Sequence, residues 1–413
     1  MSYATGRRCG GSIAATSHSR SYAEDLEFLE QYNATSSVVL PSSASSTSDS
    51  RRLDELFLVR ARALPTSIAL FDSESPPTRT TYAELEAASS RVQQTLLTRY
   101  TSHAPCETVA LLFARSIDVV IAMLGVLRSG ASYLVIEPSL PSARIQLMLD
   151  AARCDLVLLP SRQAASRFLD DTDDSSILAT RSLLYLDQVL SDDVAPQPQP
   201  RPQAASSTAA HVMFTSGSTG VPKGIVTSHV AIVNRIEWMW RQFPFRADEV
   251  MCFKTALAFV DSVWELYGPL LYGIPTLVLA DLDAKDPDRL LAQLARHSIT
   301  RLVLVPSLLT ILLEAMPDIA QRVPKLWLWT CSGEPLLQST VDQFHRLLPG
   351  RVLLNLYGST EVAGDATFHV LPLPAEPAAQ SPSAAAESRG VPIGTPLSNT
   401  QIAIVQREYG YEL

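Results

Sequence analysis

From about Leu53 onward, short apolar runs alternate with stretches of helical period. Glu107 to Phe113 predicts a strand, Ile117 to Leu127 a helix, and Ala131 to Ile136 a strand. Pro141 to Ala151 has helical spacing, and Asp155 to Leu159 is extended again. The rhythm returns with a strand at Val250 to Lys254, a helix from about Asp261, and a strand at Thr276 to Ala280. Pro287 to His297 predicts a helix, Arg301 to Pro306 a strand, and Ser307 to Met316 a helix. Lys325 to Thr330 predicts a strand, Gln338 to Leu348 a helix, and Val352 to Leu356 a strand. Continuous β runs divided by helices imply sheets covered on both faces, the α/β class. No internal repeat is evident.

The pattern fails in three places. Residues 194–209 and 371–388 are rich in Pro, Ala and either Gln or Ser, and predict linkers. Residues 1–50 are rich in Ser, Ala and Thr, and Arg7, Arg8 and Arg20 precede the first acid, Glu24. Two readings fit that tail, a disordered segment or an organelle-targeting one; without targeting, a cytoplasmic location is expected. The remainder, 51–405, has length enough for one large or two medium domains. A formal net charge of -9 with no Lys/Arg run argues against a nucleic-acid partner. No apolar run reaches the roughly 18 residues of a membrane span. The five cysteines are scattered without C-x-x-C spacing, which predicts reduced thiols and no zinc site.

One segment carries clear chemistry. The strand His211 to Phe214 leads into Thr215, Ser216, Gly217, Ser218, Thr219, Gly220, Val221, Pro222, Lys223 and Gly224. Three glycines let the backbone approach a ligand closely, while hydroxyls and amide N–H groups donate to phosphate oxygens. Lys223 adds a mobile positive charge. Gly224 follows it where a P-loop has Ser or Thr, so a hydroxyl hold on Mg²⁺ of that kind is not expected.

This string resembles the signature of the adenylate-forming, AMP-binding superfamily. That superfamily includes acyl-CoA synthetases, luciferases and the adenylation domains of non-ribosomal peptide synthetases. Further boxes extend the resemblance from about Thr81 to about Val405. They are Thr81 to Leu85, Leu127 to Pro138, Asn355 to Glu361 and Gly390 to Pro396. It implies a large N-terminal adenylate-forming domain of two βαβ-type sheets packed with helices, with a small β subdomain. It also implies ATP and Mg²⁺, and attack of a substrate carboxylate on the α-phosphorus with departure of pyrophosphate. Asn355, Tyr357, Gly358 and Thr360 would bind nucleotide, Tyr357 by its ring face. Glu361 would hold Mg²⁺. Lys223, Thr360 and Glu361 would carry catalysis by positioning and charge neutralisation.

Ala258 to Glu265 resembles the segment by which peptide-synthetase domains hold an amino acid's ammonium group. Val260 stands where α-amino-acid domains carry Asp, and Asp261 follows one residue later, the order seen in β-alanine domains. An extra carbon displaces the ammonium by about 1.5 Å. A one-residue move re-aims a helical side chain by roughly 100°. Capping of the following helix, with a Ser262–Glu265 box, is the competing reading of Asp261. Phe259 reads either as an aromatic gate or as plain core. By alignment the other wall positions are Trp264, Leu304, Trp329, Cys331, Leu356, Gly364 and Asp365, with Asp261 and Asp365 both facing one ammonium. Asn234 to Trp240 reads as core or pocket wall.

The chain stops at Leu413, before the family's Thr-Gly-Asp motif and small C-terminal domain. Residues 406–413 therefore read as a truncated end. Loss of one such charge-assisted contact costs on the order of 2–4 kcal/mol in the transition state. Weak or absent adenylation by this polypeptide alone is expected. The leading expectation is activation of a small, β-alanine-like amino acid for transfer to a carrier-protein phosphopantetheine thiol. The alternatives are an acyl-CoA synthetase for another acid and a non-catalytic nucleotide-binding protein.

Overall fold

The computed structural model describes residues 52–403 apart from 101–106, 170–177, 179, 192–207, 216–221 and 372–390. The tail 1–50, the end 406–413 and most of both expected linkers lie outside the described residues. The chain opens with α1 (Leu53–Ala63), β1 (Ile68–Asp72), β2 (Arg79–Thr81) and α2 (Tyr82–Tyr100). A βα alternation follows through β3 (Thr108–Leu112), α3 (Ile117–Ser129), β4 (Ser132–Ile136) and α4 (Ser142–Ala151). It continues through β5 (Leu156–Leu159), α5 (Arg162–Leu169), β6 (Ser182–Tyr185) and α6 (Leu186–Ser191). A hairpin of β7 (Ala209–Thr215) and β8 (Lys223–Ser228) runs straight into α7 (His229–Gln242). Next come β9 (Met251–Phe253), α8 (Asp261–Tyr272), β10 (Thr276–Val278), α9 (Asp281–Lys285) and α10 (Pro287–Arg296). They are followed by β11 (Arg301–Leu304), α11 (Pro306–Ala315), α12 (Ile319–Arg322), β12 (Leu328–Cys331) and α13 (Gln338–Leu347). A 3₁₀ turn, Thr360–Val362, joins β13 (Val352–Ser359) to β14 (Gly364–Leu371), and β15 (Thr395–Pro396) pairs last.

The α/β class expected from the sequence holds, and the apolar runs became the strands. Two larger sheets have the orders β6-β5-β3-β4-β7-β8 and β11-β12-β13-β14-β15. A third, β2-β1-β10-β9, is assembled from two distant stretches of chain. Each larger sheet is parallel until a hairpin reverses it, at β7–β8 in one and β13–β14 in the other. Those two hairpins carry the glycine loop and the nucleotide box. Local signals set the helix ends. Ser116 accepts a hydrogen bond from the N–H of Val119 at the start of α3, and Gly130, at φ 96°, ends it left-handed.

Buried ion pairs tie the layers together. Arg115, just past β3, donates to the carbonyls of Leu279 (2.6 Å) and Thr255 (2.8 Å) and pairs with Asp281. Arg301 grips Glu249 in a fork, with Nε–Oε2 at 2.6 Å and Nη2–Oε1 at 2.8 Å. It also donates to the carbonyls of Phe243 and Pro244 and lies 4.0 Å from the Phe245 ring centre. Burial pushes the Glu249 carboxyl up, but the Arg301 bonds outweigh it and hold the group below the usual range. No helix among the described residues is long and apolar enough to cross a membrane. Cys154, Cys252 and Cys331 are buried and form no disulfide.

Arg301→Met leaves Glu249 charged and unpaired, and should cost about 3–5 kcal/mol in denaturant unfolding at pH 7. Because the folded pKa of Glu249 is depressed, its contribution is present above the ordinary Glu value of about 4.3. It is lost as pH falls through the folded value, so the penalty should shrink in acid.

Candidate functional site

The two hairpins meet. Thr215 pairs with Lys223 across β7–β8, so the two residues that flank the glycine loop in sequence lie side by side. Ser216, Gly217, Ser218, Thr219 and Gly220 lie outside the described residues. Lys223 is exposed at the head of β8, and the 3₁₀ turn carrying Thr360 and Glu361 packs against that strand. Glu361 is exposed, and its carboxyl is held below the ordinary range. Its own backbone N–H contributes most, then the Ser359 hydroxyl, with the Lys223 charge adding to both. Lys223 and Glu361 therefore sit on neighbouring elements, close enough for the charge of one to act on the other.

Backbone crowding shapes the turn. The register of β13–β14 shifts between Tyr357 and Gly358, and a Cβ on Gly358 would sit 1.8 Å from the carbonyl oxygen of Gly364. Gly364 has φ 113°, a conformation that favours glycine. Tyr357 is 55% exposed, leaving a ring face available for stacking. Asn355 is buried, and its amide donates to the carbonyl of Pro392 at 3.1 Å. Asn355 thus anchors the Gly390–Pro396 box against β13.

Behind this turn lies a pocket of about 260 Å³ of empty space, its open mouth included. Arg235, Val260, Asp261, Trp264, Gly364 and Asp365 are among its walls. A Cβ on Gly364 would approach Val260 to 3.6 Å, so these two residues face each other. Phe259 is 65% exposed beside it, which removes the plain-core reading. Asp261 begins α8, yet no side chain caps that helix. Glu265 accepts instead from the N–H groups of Lys254 (2.9 Å) and Thr255 (2.6 Å), so the expected capping box does not form. No hydrogen bond reaches the Asp261 carboxylate. Burial first, and then the Asp365 charge, push its pKa up to about 7, against the pull of Arg235.

Two expectations are corrected. Asp365 does not face the pocket as a second free anion, because Arg235 of α7 pairs with it at 2.5 Å. Ser332 reaches the other Asp365 oxygen at 3.4 Å. The sequence reading of 234–240 as core or pocket wall gave Arg235 no role. The available signal was a lone cation set three residues before Trp238 in an otherwise apolar helical stripe.

The second correction is one of parity. Trp329 and Cys331 pack with Leu304, Leu353 and Phe344 on the far face of the five-stranded sheet. Strand side chains alternate, so Leu328, Thr330 and Ser332 take the near face, with Val303 and Leu356. Leu304, Trp329 and Cys331 are therefore not brought to the pocket. Val303, Thr330 and Ser332 stand one residue away from the expected positions.

Cys331→Ala should lower stability by about 1 kcal/mol without altering ligand preference. Ser332→Leu, on the pocket side, should block amino-acid binding measured by calorimetry. Gly358→Ala should displace the hairpin tip, seen as a lower melting temperature together with lost ATP binding.

Comparisons with known proteins bear on the family and the fold. A family model described as AMP-binding enzyme matches residues 57–413. The beta-alanyl-bioamine nonribosomal peptide synthetase ebony of Drosophila melanogaster is 40% identical over 311 residues, which is 73% of this chain and 34% of ebony. Vanchrobactin synthetase VabF of Vibrio anguillarum is 32% identical over 386 residues, which is 92% of this chain and 12% of VabF. The AMPPNP-bound crystal structure of the nonribosomal peptide synthetase FmoA3 superimposes with a TM-score of 0.76 at 25% identity. That likeness covers 94% of this chain and 38% of FmoA3. The chain thus spans well under half the length of these relatives. With a family match that takes in almost every described residue, the chain belongs to the AMP-binding enzymes, and so to the adenylate-forming ligases.

Proposed function

We propose that the chain activates a small amino acid of the β-alanine kind as its acyl-adenylate, using ATP, for transfer to a carrier-protein phosphopantetheine thiol. The observation that carries this reading is Asp261, a carboxylate open to the pocket with no hydrogen-bond partner, placed one residue after Val260. An ammonium group seated there supplies the missing partner. An apolar acyl chain would leave the charge unpaired, which disfavours the acyl-CoA synthetase alternative. The similarity to ebony, whose name specifies a beta-alanyl product, points the same way.

The glycine loop and Lys223 take the triphosphate in this reading, and Tyr357 stacks on adenine. Among the described residues no group of three or more His, Cys, Asp or Glu could hold a metal ion by itself. Glu361 fits Mg²⁺ that arrives on ATP phosphates, because such ions keep waters and need one or two protein carboxylates. The ion would neutralise charge on the departing pyrophosphate. Thr360 hydrogen-bonds the developing adenylate, and Phe259 separates the amine pocket from the nucleotide. The substrate carboxylate attacks the α-phosphorus while Asp261 holds the other end of the molecule in place.

ATP–pyrophosphate exchange by the complete gene product tests this proposal. β-Alanine should support exchange, whereas α-alanine and propionate should do so at least about tenfold less well, a difference near 1.4 kcal/mol. Val260→Asp combined with Asp261→Ala should move the preference toward α-amino acids. Exchange with α-amino acids but not β-alanine would refute the substrate assignment.

A further inference from the structure

Arg235 occupies a position where amino-acid binding needs only space and an anion. Its side chain is 8% exposed, and Nη1 is buried without a partner. The guanidinium lies 5.0 Å from the Trp238 ring centre and 5.3 Å from that of Trp264, while Nε holds Asp365. The charged groups facing Asp261 are Asp365 of β14, Arg235 of α7, Glu265 of α8 and Lys254 just past β9. Glu265 is paired with Lys254 at 3.6 Å and held by two backbone amides. Asp365 is paired with Arg235. Three carboxylates against two cations leave one negative charge, and Asp261 is the one without a partner.

We propose that Arg235 is a specificity-determining residue that neutralises Asp365, so that the pocket presents a single unpaired carboxylate and accepts a substrate with one ammonium group. This inference rests on the amino-acid-activating reading above. A monoamine balances the pocket. A diamine would bring a second cation with no anion to meet it, and an acid without an amine would leave Asp261 bare. Arg235 also stands as a counter-charge to both carboxylates. Without it, like charges would force one of them to take a proton.

The test is a four-variant series in the complete protein, using exchange kinetics and ¹³C NMR titration of the Asp261 carboxyl, assigned with Asp261→Asn. Arg235→Met should raise the Asp261 midpoint and lower kcat/KM for the amine substrate about five- to tenfold at pH 7. Part of that activity should return as pH rises. Arg235→Met with Asp365→Asn should regain the original midpoint and most of the preference. Asp365→Asn alone frees Arg235 to neutralise Asp261, and should shift the preference toward acids lacking an amine. Arg235→Lys should keep the midpoint, and it serves as the folded comparison if the Met variant is unstable.

An unmoved midpoint in Arg235→Met, or a double variant no better than the single one, would overturn the inference. A moved midpoint with unchanged substrate preference would also overturn it. Wild-type protein that prefers an amine other than β-alanine, and follows the same series with it, would refute the β-alanine assignment and support this one. Wild-type protein that activates no amine would overturn both.

Discussion

The buried ion pair between Arg235 and Asp365 closes a ring through the site. β8 carries Lys223 and runs into α7, which carries Arg235. Arg235 grips Asp365 at the head of β14, and β14 is the hairpin partner of β13, whose tip carries Glu361. Glu361 in turn feels the charge of Lys223. The hairpins that carry Lys223 and Glu361 belong to different sheets, and this pair fixes one against the other. A buried pair of this kind adds little net stability over apolar packing, but removing one partner is costly, so it acts mainly to fix geometry.

Reversal of strand direction is what makes the site possible. Parallel strands deliver their ends to one edge of a sheet and pass on into helices. A hairpin at that edge turns the chain back on itself. Both larger sheets do this once, at β7–β8 and at β13–β14. The second tip is so tight that Gly358 has no room for a Cβ, while Gly364 takes a left-handed φ of 113° that favours glycine. The same turn that shapes the segment Tyr357–Glu361 therefore also shapes one wall of the pocket, through Gly364.

The electrostatics of the pocket follow from incomplete pairing. Glu249 and Glu265 each have an arginine or lysine partner, and both also accept hydrogen bonds from backbone or hydroxyl donors. Asp261 has neither, and a carboxylate in that state is balanced between its protonation forms near neutral pH. Such an imbalance is costly in an empty core and useful in a binding site, because the ligand completes it.

The sequence by itself determined the elements and the family to which the chain belongs. Strand and helix positions followed from hydrophobic period, and the glycine loop and the box holding Tyr357, Thr360 and Glu361 carried the resemblance to the AMP-binding family. The resemblance of Ala258–Glu265 to the amine-holding segment also pointed to Val260 and Asp261, and both line the pocket. Tertiary structure alone decided which face of β11 and β12 the pocket uses. A one-residue error there exchanges Trp329 and Cys331 for Thr330 and Ser332, and both faces are buried, so hydrophobicity gives no parity signal. It alone revealed that Asp365 is already paired, because Arg235 lies 130 residues away in the chain and contact between them exists only after folding.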